Sequence, residues 1–120
     1  MTAHPEDVRP LPGSMTVRDE GDGRVLWLRG ELDTAVAVRF KERHGRAPLL
    51  VDAIDAAEVS FLSSTALSIL ARCVEAAFAV GRRPVLRASS PIVERMLQLS
   101  GLQDDFVRPP GTSCRSETPN

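Results

Sequence analysis

The stretch VSFLSSTALSIL, Val59 to Leu70, decides the fold, because in it an apolar run gives way to an amphipathic helix across two serines and a threonine. Upstream, PLLVDAID (Pro48 to Asp55) is an apolar run of the kind a central strand makes. Downstream, a helix starting at Ser63 or Ser64 puts Leu67, Leu70, Val74, Ala77 and Phe78 on one arc, with Ser64, Ser68, Arg72 and Glu75 on the other. Ser64 then falls on the solvent face of the first turn, where a hydroxyl can be reached and modified. One of Ser63, Ser64 and Thr65 is expected to cap the helix, since a hydroxyl there accepts from an otherwise unpaired backbone N–H.

Outward from this turn, the chain reads as strands alternating with helices. Thr16 to Glu20 and Arg24 to Leu32 are strand candidates joined through Gly21-Asp22-Gly23, a hairpin turn with two glycines. Val25, Leu26, Trp27 and Leu28 are apolar in succession, which suits a strand covered on both faces and makes Trp27 a core residue. Asp33 is placed to cap a short helix from about Thr34 to His44 that buries Val36, Ala37 and Phe40, with Gly45 as its stop. Gly81 ends the second helix, and Pro84 to Ala88 is a fourth strand candidate. Ser90-Pro91 opens a third helix with Ile92, Val93, Met96 and Leu97 as its stripe, and Gly101-Leu102 closes it. A short last strand is expected over Asp105 to Arg108. The expected fold is therefore α/β: a single domain over residues 14–108, with a mixed, mostly parallel sheet of 4–5 strands, about three helices and an N-terminal β-hairpin entry. Residues 1–13 and 109–120, rich in Pro, Gly and small polar groups, read as flexible tails.

Composition narrows the function. At 120 residues and 42% hydrophobic content the chain can bury one core. Its net charge is −1, its pI is about 6.1, and it has no dense basic run, so no nucleic-acid partner is expected. No segment has the apolar length of a membrane span or the pattern of a signal peptide, which predicts a cytoplasmic protein with no membrane partner, monomeric when free. His4 and His44 stand alone, so no metal site is expected. Asp52 and Asp55 read as strand-ending acids without a second carboxylate to form an acid-base pair, and no phosphate loop, Gly-x-Ser-x-Gly elbow or Cys-x-x-Cys occurs. The chain is not expected to be an enzyme and has no catalytic residues to assign. Cys73 sits mid-arc on the second helix and reads as a small buried hydrophobe, with a redox pair to Cys114 as the alternative reading.

The residues around the turn resemble the signature of the STAS family, the domain of bacterial anti-sigma factor antagonists. Asp55 matches the acid of that family's strand, and Phe61-Leu62-Ser63-Ser64-Thr65-Ala66-Leu67 matches its Phe, apolar, Asp-Ser-Ser/Thr-Gly-Leu motif. Ser63 stands where the family has Asp, and Ala66 where it has Gly. Gly30-Glu31-Leu32-Asp33 matches a Gly-Glu-Leu/Ile-Asp segment, and Leu99-Ser100-Gly101-Leu102 resembles the family's last helix terminus. The resemblance implies a phosphorylation site at Ser64, ahead of Ser63 and Thr65. It also implies a partner-binding surface at Asp33, Ser63, Ser64, Thr65, Ser68 and Arg72. The implied partner is an anti-sigma factor with an ATP-binding, kinase-like domain, to which ATP and magnesium would belong, so this chain needs no cofactor. Two alternatives keep the fold: an unphosphorylated STAS scaffold in a signalling or lipid-transport complex, and an antagonist under redox control through Cys73 and Cys114.

Overall fold

The hairpin forms as the two glycines predict. In the computed structural model, which describes residues 12–21 and 23–109, β1 (Ser14–Asp19) pairs antiparallel with β2 (Arg24–Leu32), from Ser14 opposite Arg29 to Asp19 opposite Arg24. The Glu20 N–H donates to the Gly23 carbonyl at 2.8 Å, and Gly21 takes φ of +78°, a conformation open to glycine at no steric cost. The chain then runs through α1 (Thr34–His44), β3 (Ala53–Leu62), α2 (Ser64–Ala79), β4 (Val85–Ser89), α3 (Pro91–Ser100) and a 3-10 turn, Gln103–Asp105. Strand order is β1-β2-β3-β4, with β2–β3 and β3–β4 parallel. The result is the α/β fold expected, with four strands, three helices and a hairpin entry.

Register shows which side is the core. Met15 lies opposite Leu28, Val17 opposite Leu26, Leu26 beside Ile54, and Ile54 beside Leu86. Side chains alternate between faces along a strand, so these residues share one face. They cluster there with Ala37 and Phe40 of α1, Ile69, Leu70 and Cys73 of α2, and Val93 and Leu97 of α3. The helices therefore cover that face. In-register Thr16, Trp27 and Asp55 lie on the other, which carries no helix among the described residues.

The structure departs from four expectations. The third strand is not the apolar run from Pro48 to Asp55 but Ala53–Leu62. Leu49 and Val51 are buried, yet they serve as an extended lead-in, while the ladder against β2 continues to the Leu32–Leu62 pair. Trp27 is not a core residue: Leu26 and Leu28 point to the helices, so Trp27 must point to the open face, where it is half-buried. Phe78 is 49% exposed, because the buried stripe of α2 (Ala66, Ile69, Leu70, Cys73, Val74, Ala77) leaves position 78 on its flank. No strand forms over residues 105–108; the 3-10 turn takes part of the segment, and Val107 makes a single parallel bridge to Val85.

Local stop and start signals hold the helices where the site needs them. Asp33 caps α1 and Gly45 ends it at φ of +80°, its N–H returning to the Lys41 carbonyl at 2.8 Å. Pro91 opens α3 and Gly101 closes it in the left-handed region, although Ser90 at the cap position makes no capping hydrogen bond. Glu94 in the first turn of α3 is desolvated, but a bidentate pair with Arg108 at 2.7 and 3.0 Å and a Ser89 hydroxyl bond outweigh that and hold its carboxyl below the usual range. Of the expected tails, 1–13 and 109–120, residues 1–11 and 110–120 lie outside the described residues. Pro12 bridges to Glu31 of β2.

Candidate functional site

Two parallel strands that end together bring two helix starts together. Leu32 and Leu62 pair at the ends of β2 and β3, and the Ser63 N–H donates to the Leu32 carbonyl at 2.9 Å. Asp33 and Ser63 follow, so the N-termini of α1 and α2 lie together at the C-terminal end of the two central strands. Each is capped by its own side chain: the Asp33 carboxylate accepts from the Val36 N–H at 2.9 Å, and the Ser63 hydroxyl accepts from the Ala66 N–H at 3.1 Å.

This geometry divides the roles of the three hydroxyls. Ser63 is buried and occupied as the cap, Thr65 is half-buried, and Ser64, the first residue of α2, is exposed. Ser68, one turn on, is also exposed, and its hydroxyl donates to the Thr65 carbonyl at 2.6 Å. Asp33, Ser63, Ser64, Thr65 and Ser68 are thus brought to one end of the sheet. Arg72 is placed differently: its guanidinium donates to the carbonyls of Ala47 at 3.1 Å and Gly45 at 3.4 Å, tying α2 to the loop after α1. No acidic residue lies in the first turn of α2, so the positive end of its dipole is countered only by a neutral cap. Replacing Ser63 with Ala should cost about 1 kcal/mol of stability, read by urea titration, while leaving the Ser64 hydroxyl in place. An unchanged midpoint would mean that the Ser63 hydroxyl does not cap α2.

Cys73 is fully buried in the core of α2, and burial pushes its thiol up to about 12 despite the nearby Arg72 charge. Cys114 lies outside the described residues. In a Cys114→Ser chain at pH 8, an alkylating reagent should leave the folded protein unlabelled and modify Cys73 only in denaturant. Rapid labelling of the folded chain would contradict its burial.

Sequence reasoning missed the organisation of the open sheet face. The Trp27 indole N–H donates to Glu20 at 2.6 Å, and the guanidinium carbons of Arg18 and Arg87 sit 5.4 and 5.0 Å from the ring centre. Arg87 bridges Glu20 at 3.2 Å and Asp55 at 3.3 Å, and Arg29 pairs with Glu58 at 2.8 Å. The indole bond, opposed by desolvation and helped by Arg87, holds the Glu20 carboxyl below its usual range. Asp52 is likewise lowered, first by the Arg24 N–H at 2.8 Å and, against desolvation, by Arg82. Strand alternation at Leu26-Trp27-Leu28 was the available signal. The charges on this face are largely paired with one another, which suits a solvated cover better than a reaction centre. Among the described residues, no three of His, Cys, Asp and Glu are grouped to hold a metal, and no helix is long and apolar enough to cross a membrane.

The family model described as "Mlab, STAS domain" matches residues 15–109. Comparison with curated proteins finds no match. Among solved structures, the fold is similar to that of the anti-sigma factor antagonist SpoIIAA in its unphosphorylated form, with a TM-score of 0.61 and 21% identity, covering 82% of this chain and 90% of that one.

Proposed function

Because this chain belongs to the STAS domain family, matched over residues 15–109, we propose that it is an anti-sigma factor antagonist, binding an anti-sigma factor with an ATP-binding, kinase-like domain so that the sigma factor is freed. Ser64 is the regulatory acceptor. The observation that carries this reading is the division of labour where β2 and β3 end together: a buried Ser63 caps α2 and leaves Ser64 exposed, at the same sheet end as the α1 cap Asp33. The contact surface comprises Asp33, Ser63, Ser64, Thr65 and Ser68, with Arg72 at its border. The likeness to SpoIIAA supports the same direction. ATP and magnesium belong to the partner, and the chain acts in the cytoplasm as a non-enzymatic monomer.

A phosphate on Ser64 sits at the positive end of α2, where free N–H donors and the dipole favour negative charge. Phosphorylation therefore leaves the domain folded and acts on contact. A strongly hydrated dianion must lose water to enter an interface, and it adds negative charge to the sheet end that already carries Asp33. Unmodified protein binds and modified protein releases. Incubation with an ATP-binding anti-sigma factor from the same genome, with magnesium and ATP, should add one phosphate, mapped to Ser64 by mass spectrometry. Modification elsewhere, or none, would remove Ser64 from the role.

Two observations favour a second reading, an unphosphorylated STAS scaffold in a signalling or lipid-transport complex. The matching family description names Mlab, and Ser63 stands where the antagonist motif has Asp. The redox-controlled variant is disfavoured by the buried, weakly acidic Cys73 thiol.

A further inference from the structure

We infer that Phe61 is the anchor of the partner-binding surface, the side chain that an anti-sigma factor must seat in an apolar hollow for the complex to form; this rests on the function proposed above. Phe61 is the penultimate residue of β3, three positions before Ser64. Its neighbour Leu62 turns into the core at 2% exposure, so alternation turns Phe61 out on the opposite side, where it is 45% exposed and takes no part in the core cluster. The β2–β3 register shifts between Gly30 and Glu31, with Gly30 at φ of +74°. Such a bulge bends a strand pair and re-aims its side chains. It places Phe61 opposite Glu31, at the same sheet end as Asp33 and Ser63.

The other rings are accounted for by the fold. Phe40 and Phe106 are buried at 4% and 5%, and Trp27 is held between two arginines and Glu20. Among the described residues only Phe61 and Phe78 are aromatic and more than a third exposed, and Phe78 lies in the last turn of α2, far from Ser64. Phe61 is therefore the exposed aromatic that borders the proposed contact surface, and aromatic rings are enriched in the dry centres of interfaces. Glu31 and Asp33 beside it call for a hollow with a basic rim on the partner.

The test compares wild type, Phe61→Ala, Phe61→Leu and Phe78→Ala in titrations into each ATP-binding anti-sigma factor from the same genome, with thermal midpoints measured for each. Phe61→Ala should weaken Kd at least about 10-fold with an unchanged midpoint. Phe61→Leu should recover most of that loss, and Phe78→Ala should bind like wild type. Equal binding by Phe61→Ala and wild type, or equal losses in Phe61→Ala and Phe78→Ala, would overturn the anchor role and leave the antagonist reading standing. A wild-type chain that binds no such factor would overturn both.

Discussion

Ser64→Glu should weaken binding to the cognate anti-sigma factor by about 100-fold or more, while Ser64→Ala should bind within a few-fold of wild type. The asymmetry follows from the site. Ser64 is exposed and does not cap α2, because the Ser63 hydroxyl accepts from Ala66. Removing its hydroxyl therefore costs the fold little. A carboxylate at the same place must be desolvated on docking and lies at the sheet end that already carries Asp33. Losing a hundredfold corresponds to about 2.7 kcal/mol, within the cost of burying a charge without a partner. Surface plasmon resonance on the three chains would read it. A weakening shared by Ala and Glu would instead mean that the hydroxyl itself is the contact.

Ile54→Ala should lower unfolding free energy by about 3 kcal/mol, seen as a lower urea midpoint with an unchanged slope. Ile54 is fully buried in β3, between Leu26 of β2 and Leu86 of β4 in register, under the helices. Deleting its branches removes transfer energy and leaves a cavity that three paired strands cannot collapse. That is a large share of the roughly 5–15 kcal/mol that holds a small domain. A loss below about 1 kcal/mol would show that the helix-covered side of the sheet is not the core layer described.

What could be read from the sequence was mostly local chemistry. The caps and stops at Asp33, Gly45, Pro91 and Gly101 were legible because a cap needs only a side chain and the next few residues. The hairpin was legible for the same reason. The placement of β3 was not, since Leu49 and Val51 look like strand residues by hydrophobicity while the ladder is set by pairing with β2 and interrupted by two register shifts. Trp27 illustrates a different limit: alternation orients it away from Leu26 and Leu28, but nothing local says that this face stays without a helix. At the site, each cap could be assigned, whereas their adjacency depends on the Leu32–Leu62 pair, thirty residues apart in the chain. A helical count put Arg72 on the outer arc; only the fold brings the Gly45–Ala47 carbonyls to it.

The most direct test is a calorimetric titration of this chain, unmodified and then phosphorylated at Ser64, into each ATP-binding anti-sigma factor from the same genome, with magnesium and nucleotide present. The expected result is saturable binding by the unmodified chain and its loss on phosphorylation. Equal binding by the two forms, or none by the unmodified chain, would contradict it.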